Sequence, residues 1–474
     1  MSRSLIVQFK NSEHEVSGPT VDVPLDSSVD QLTTLLNQIL ENEERLPYLF
    51  YVLKENKQEV EIVDGIHEAI SSASHSTETV LSIRFVPQAL FRVRPVTRCT
   101  ATLPAHAEAI LTVQFSPNGA DLATGSGDTT VRLWDVSSQT PRRKLEGHKG
   151  WVLCVAWSPD ANLLASGSMD STVIIWGPRE AIRRTHLKGH KKWISSICWE
   201  PLHRCRSGQS ERLASGSEDC KVRIWHALSG RCEFVLSGHT KAITCVRWGG
   251  EGLIYSSSQD RTIKVWSDAD GSQVRSLQGH GHWVNTMALS TDYALRCGVF
   301  DIQRRTAPST PAEGKLLAME MYNTAKRDRP EKLVSGSDDF TLQLWEPATS
   351  GKPLSRMTGH QQLVNMVAFS PDQEFIASSS FDKSVRLWHA STGNFITTLR
   401  GHVAAVYQIA WSADSRLLLS SSKDSTVKVW ELRTRKLKVD LPGHADEVYS
   451  VDWSPDGTKV ASGGKDKVLK LWQN

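Results

Sequence analysis

The sequence predicts a mainly β protein, an eight-bladed β-propeller over residues 96–474 preceded by a small α+β ubiquitin-like (β-grasp) domain over residues 1–95. Three observations carry the propeller. A His–Asp–Trp unit occurs eight times after residue 100. The interval from Asp to Trp is six residues in every copy, and the repeat period is mostly 41 or 42 residues, the length of one four-stranded blade. Each unit also carries short alternating apolar runs, such as residues 151–157, 163–167 and 172–176, divided by polar turns, which is the pattern of half-buried strands.

The units open at His106, His148, His190, His239, His280, His360, His402 and His444. They close with Asp128/Trp134, Asp170/Trp176, Asp219/Trp225, Asp260/Trp266, Asp339/Trp345, Asp382/Trp388, Asp424/Trp430 and Asp466/Trp472. These residues resemble the WD-repeat family. The last unit stops two residues after Trp472, without an outer strand, whereas residues 96–103 read as a strand with no unit of its own. Residues 96–103 are therefore expected to complete the eighth blade and cover an edge that would otherwise template aggregation.

Residues 1–95 read differently. Residues 5–10 and 20–25 form two candidate strands, and Ser27-Ser28 caps a helix with apolar Val29, Leu32, Leu35, Leu36, Ile39 and Leu40, one buried face by spacing. Residues 48–53 and 79–86 read as further strands, the element order of a ubiquitin-like fold.

Composition, at 39% hydrophobic and 23% charged, is that of an ordinary globular protein. Apolar runs are strand-sized, so no membrane span is expected, and residues 1–8 lack a secretory apolar core. Eight cysteines show no C-x-x-C or other zinc spacing and read as reduced thiols of an intracellular protein. The net charge of +3 divides unevenly: residues 1–95 hold 8 basic and 14 acidic side chains, and the remainder 47 and 38. An acidic module is thus joined to a basic platform, which suits a solvated surface or proximity to nucleic acid or acidic protein.

Each repeat brings together His, Asp and Ser, which superficially suggests a hydrolase. A nucleophile is needed once, however, and eight copies point to a bracing network of satisfied buried polar groups. His148, Asp170, Trp176, His402, Asp424 and Trp430 are assigned this structural role. No phosphate loop, zinc-protease motif or dinucleotide fingerprint occurs, so no catalytic residue, enzyme activity or small-molecule substrate is expected.

The binding surface is sought among the tryptophans. Thirteen of the sixteen end first or third strands, while Trp151, Trp193 and Trp283 follow the His by three residues. Positions three after His and one before Asp should share one end of the ring, placing Trp151, Met169, Trp193, Trp283 and Phe381 there as partner-binding candidates. The alternative is that each tryptophan packs back on a neighbouring blade. The irregularities belong to the other end: about seven extra residues within 202–210 and about thirty-seven within 290–330 interrupt first-to-second-strand connections. The longer one is expected to be a somewhat basic, partly mobile loop with a helix around 314–326.

The junction Pro87-Gln-Ala-Leu-Phe-Arg-Val-Arg-Pro-Val-Thr-Arg98, together with residues 150–160, 401–416 and 440–449, resembles the Notchless family, also called ribosome assembly protein 4, across the whole chain. The resemblance implies a large-subunit assembly scaffold of the nucleus and nucleolus. Its partners would be pre-ribosomal large-subunit proteins, ribosomal RNA and midasin, an AAA ATPase, with a further link to Notch signalling. It also implies a role for Glu78, flanked by Thr77 and Thr79, as a ligand supplied in trans to Mg²⁺ in midasin's metal site. A hard cation with an open position takes a carboxylate oxygen, whereas a lone strand-edge Glu is ordinarily just solvated. The chain would need no cofactor of its own. A different class of function, a ubiquitin-type signalling adaptor recruiting substrates through the propeller, would bind by a hydrophobic sheet patch and tolerate loss of Glu78.

Overall fold

The computed structural model describes residues 4–10, 19–24, 27–40, 48–53, 59–62, 81–87, 93–104, 106–179, 182–300, 308, 310–327 and 329–474. The chain divides into two compact units, Met1–Arg92 and Val93–Asn474. The division falls three residues before the expected 95/96 boundary. Val93 belongs to the second unit because it is buried, its amide donates to Asp414 Oδ2 at 2.7 Å, and its side chain lies against Gly457.

In the first unit, β1 (Ser4–Lys10), β2 (Val21–Pro24), β3 (Tyr48–Leu53), β4 (Glu59–Glu61) and β5 (Leu81–Pro87) form one sheet in the order β2-β1-β5-β3-β4. β1 and β5 run parallel, and the other pairs antiparallel. Helix α1 (Val29–Ile39) starts at Ser28, whose hydroxyl accepts from the Gln31 amide while the Gln31 side chain accepts from the Ser28 amide. This capping box satisfies two amides that the first turn leaves open. Leu32 and Leu36 of α1 are fully buried with Val7, Phe9, Phe50 and Ile83 of the sheet, while Val29, Leu35, Ile39 and Leu40 pack at its margin. Strand β4 was not read from the sequence, because three residues carry too short an alternation to register. Thr77, Glu78 and Thr79 lie outside the described residues.

Among its described residues the second unit contains eight four-stranded antiparallel sheets, numbered I to VIII here. Their first strands are Ile110–Phe115, Val152–Trp157, Ile194–Trp199, Ile243–Trp248, Val284–Leu289, Val364–Phe369, Val406–Trp411 and Val448–Trp453. Each first strand packs against that of the next sheet, and Val448–Trp453 returns to Ile110–Phe115, so the sheets form a closed ring, as in a propeller. The outer strand of sheet VIII is β6 (Arg98–Pro104), which pairs antiparallel with Val468–Gln473. The core is divided among sheet interfaces. Between I and II, for example, Leu133, Val152, Val155, Trp157 and Trp176 pack together.

The long insertion of sheet V is helical in much of its described part. Helix α2 (Asp292–Cys297) follows the first strand directly, and helix α3 (Pro311–Lys326) starts at Thr310, whose hydroxyl accepts from the Glu313 amide at 3.2 Å. The helix expected around 314–326 is present and begins three residues earlier, at Pro311, the short helix α2 ahead of it is additional, and residues 301–307 of the expected loop lie outside the described residues. Tyr322 of α3 stacks on His203 from the short insertion of sheet III, with ring centroids 4.6 Å apart. Lys326 pairs with Glu251 at 2.8 Å, and Ala325 O accepts from Gln373 Nε2 at 2.7 Å. Helix α3 therefore ties sheets III, IV and VI together.

Candidate functional site

The repeated polar residues meet in one geometry in all eight sheets. The third-strand Trp donates from Nε1 to a second-strand Ser or Thr hydroxyl at 2.8–3.0 Å. That hydroxyl meets His Nε2 at 2.7–2.9 Å. His Nδ1 lies 2.7–3.0 Å from the Asp carboxylate. In sheet II the members are Trp176, Ser166, His148 and Asp170, and in sheet VII Trp430, Ser420, His402 and Asp424.

Hydrogen bonding orders the protons in this network: an ionised carboxylate only accepts, so the Nδ1 facing it is the donor. Burial lowers the His106 and His360 pKa despite the adjacent carboxylates, which favours the neutral ring. Burial alone would raise Asp128, but hydrogen bonds from Thr130, His106 and the Ala107 amide outweigh it and hold the group at about 2. The Asp oxygens also order the turn: Asp170 accepts from the Thr172 amide at 2.9 Å and from its hydroxyl at 2.6 Å. The residue after each Asp takes a left-handed conformation, as at Ser171 with φ 66°. Ser166 is fully buried and its hydroxyl is engaged by both Trp176 and His148. A hydroxyl so placed has no approach for a substrate, and the set acts as a brace.

The turns carry the exposed side chains. In every sheet the residue before the Asp donates its amide to the carbonyl of the residue three after the His, as in Met169 to Trp151 at 2.9 Å, Glu218 to Trp193 at 3.1 Å, Asp338 to Trp283 at 2.9 Å and Phe381 to Leu363 at 3.2 Å. These two positions thus lie together at one end of the ring. Trp151 (54% exposed), Met169 (43%), Trp193 (41%) and Trp283 (39%) all reach solvent. Trp151 also leans over Gly127 of sheet I, where a methyl would lie 3.8 Å from the indole, so this side chain packs on its neighbour and still presents an open face. Phe381 differs: it is half-buried and set edge-on to Tyr407 of the next sheet at 5.8 Å. Phe340, exposed at the position after Asp339, was missed by the sequence reading, which considered only the residue before the Asp. Around these groups stand exposed or half-exposed ion pairs such as Lys192–Glu218 and Lys423–Glu447, each at 3.6 Å, of small energetic value.

The other end of the ring is occupied by the insertions. The eight first strands and α2 line a central cavity of about 420 Å³. Arg296 of α2 donates to Asp452 of sheet VIII at 3.1 Å and to the Phe115 carbonyl of sheet I at 3.1 Å. Behind α2, the buried Glu331 carboxyl accepts from the Thr291 hydroxyl, the Gly250 amide and the Tyr255 hydroxyl. Burial, the largest influence, pushes its pKa up to about 7 against the opposing bonds from Thr291 and Gly250. Among the described residues no cluster of His, Cys, Asp or Glu has the arrangement of a metal site.

Comparison with known proteins agrees with both modules. A model described as WD domain, G-beta repeat matches residues 97–135, 139–177, 182–226, 230–267, 351–389, 393–431 and 435–473. The unmatched stretch is sheet V, where the insertion separates first and second strands. A model described as NLE (NUC135) domain matches residues 5–68. "Protein Notchless" of Drosophila melanogaster is 52% identical, covering 76% of this chain and 73% of its own. "Notchless protein homolog" of Arabidopsis thaliana is 55% identical over 80% and 78%, and "Ribosome assembly protein 4" of Saccharomyces cerevisiae 48% over 80% and 76%. Among solved structures, the computationally designed Ika8 protein covers 79% of this chain and 98% of its own at a TM-score of 0.62 and 25% identity. With an NLE domain ahead of its WD repeats and about half its residues shared with these relatives over most of their length, the chain belongs to the Notchless/ribosome assembly protein 4 family.

Proposed function

We propose that this protein is a non-enzymatic assembly factor of the large ribosomal subunit, acting in the nucleus and nucleolus. The observation that carries the reading is identity near 50% over most of the chain with relatives named ribosome assembly protein 4. We read the eight sheets as the blades of one propeller, and the β2-β1-β5-β3-β4 sheet with its single helix as a ubiquitin-like module. In this reading the propeller docks on the pre-ribosome through Trp151, Trp193, Trp283, Met169 and Phe381, supported by the exposure of the first four. The first module presents Glu78, flanked by Thr77 and Thr79, to the metal site of midasin, where its carboxylate completes the coordination of Mg²⁺. A ring braced eight times over by buried hydrogen bonds is stiff, which suits a body that transmits force from an ATPase into a particle.

The test is capture of midasin's metal-site domain by the full chain, with Mg²⁺ and with chelator, for the native protein, Glu78→Asp and Glu78→Ala. The Asp variant withdraws the oxygens by about 1.5 Å, enough to spoil a metal bond near 2.1 Å. Capture abolished by chelator and by both substitutions supports the trans ligand. Capture that survives all three removes Glu78 from the mechanism and favours the ubiquitin-type adaptor.

A further inference from the structure

We infer that the outer rim of sheets VII, VIII, I and II is a binding surface for the phosphate backbone of double-stranded RNA. The inference rests on the pre-ribosomal reading only for the presence of RNA; the surface itself is read from charge and topology. The outer strands of these sheets, with their approaches, are residues 432–441, 94–104, 136–145 and 178–188. They hold thirteen basic and two acidic side chains, and all thirteen basic ones are exposed. The matching segments of sheets III to VI, residues 227–237, 268–278, 347–357 and 390–400, hold five basic and three acidic. The four basic segments are consecutive around the ring, since sheet VII packs on VIII, VIII on I and I on II. The rims of VIII and I are bridged directly by Gln139 Nε2 donating to Thr100 Oγ1 at 3.1 Å.

Lys and Arg on an outer strand also discourage edge-to-edge sheet pairing. That purpose applies equally to all eight outer strands, and four of them manage with almost balanced charge. The concentration on one half of the rim therefore calls for a ligand. Three features give its class. Nine of the thirteen cations are Arg, whose planar fork binds phosphate bidentately. The adjacent pairs Arg142/Arg143 and Arg183/Arg184 sit where the outer strand shifts register against its neighbour, and Arg435, in a left-handed turn, precedes Lys436 at the start of its strand, so each pair sets two exposed cations side by side on the rim. The four segments contain no Phe, Tyr or Trp, so they offer no stacking platform for unpaired bases, and charge and shape are what a duplex presents.

The experiment measures binding of the full chain to a 20-base-pair RNA duplex across a salt series. Arg143, Arg183, Arg435 and Lys436 are exposed and carry no ion pair among the described residues, so their joint replacement by Gln removes charge alone. The comparison variant replaces Arg231, Lys352, Arg356 and Arg400, exposed on the opposite rim, by Gln. The first variant should lose at least tenfold in affinity near 100 mM salt, with a salt slope shallower by about 3, and the second less than twofold, with both melting as the native protein does. Equal losses in the two variants, no loss in the first, or preference for a poly-glutamate peptide over the duplex would overturn the inference, the last pointing to an acidic protein partner. Co-sedimentation of the native chain with large-subunit precursors tests the parent reading separately. Co-sedimentation without a difference between the variants removes only the RNA rim.

Discussion

Arg296 and Asp452 are 156 residues apart in the chain, yet the guanidinium of one donates to the carboxylate of the other at 3.1 Å. The same Asp452 carboxylate accepts from the Phe115 amide at 2.8 Å. The insertion of sheet V thus fastens sheet VIII, which is built from both ends of the second unit, to sheet I.

Replacing Arg296 by Met removes this fastening and leaves Asp452 with the Phe115 amide alone. The Arg296 side chain keeps about a third of its surface in water, which moderates the loss, so the expected destabilisation is about 1–3 kcal/mol. Urea unfolding followed by tryptophan fluorescence measures it. A variant as stable as the native protein would show that the pair holds nothing.

The outer strand of sheet VIII comes from the start of the second unit, so it can be removed without touching the repeats. Deleting residues 93–104 exposes Val468–Gln473 as an open edge. The truncated chain is expected to elute from a sizing column as dimers or larger species. Persistence as a well-folded monomer would contradict the closure role of β6.

Ser420 stands between Trp430 and His402, at 2.8 Å from the indole nitrogen and 2.7 Å from the imidazole. Ser420→Ala leaves a buried donor and a buried acceptor without partners, for an expected loss of about 1–3 kcal/mol. Because the network is structural, a Ser166→Ala variant in sheet II should lose a similar amount. Chemical denaturation of the two variants side by side checks this, and a large disparity would mean that the eight braces are not equivalent.

Glu331 gives a pH dependence of definite sign. Its folded pKa of about 7 lies above the ordinary 4.5, so it favours the fold fully below pH 4.5, and that contribution is lost as pH rises toward and through 7. The span corresponds to about 3 kcal/mol at most. The neutral Glu331→Gln should therefore gain stability relative to the native protein as pH rises from 5 to 8. The difference in melting temperature between the two across that range isolates this group from His106 and His360, whose lowered pKa values act with the opposite sign. A constant difference would place the folded pKa of Glu331 in the usual carboxylate range.

Trp151, Trp193 and Trp283 rest on the turns without closing a core, so their joint replacement by Ala should change unfolding free energy little while abolishing co-sedimentation with large-subunit precursors. A fall in stability comparable to a core truncation would assign them to packing between neighbouring sheets, as the contact of Trp151 with Gly127 begins to do.

The sequence alone determined the repeat unit and its brace. His, Ser, Asp and Trp of one sheet lie within one unit, at spacings set by strand length and turn type, and period-two alternation locates the strands between them. For the same reason it placed the residues flanking each His and Asp at a common end of the ring. Only the tertiary structure decided what happens between units. The half-burial of Phe381 depends on Tyr407 of the next sheet, the fastening of Arg296 on a strand 156 residues away, and the environment of Glu331 on Gly250 and Tyr255 from another sheet. The short helix α2 and the three-residue β4 likewise exist through their neighbours. These particular contacts leave no periodic trace in the chain, because neither partner repeats.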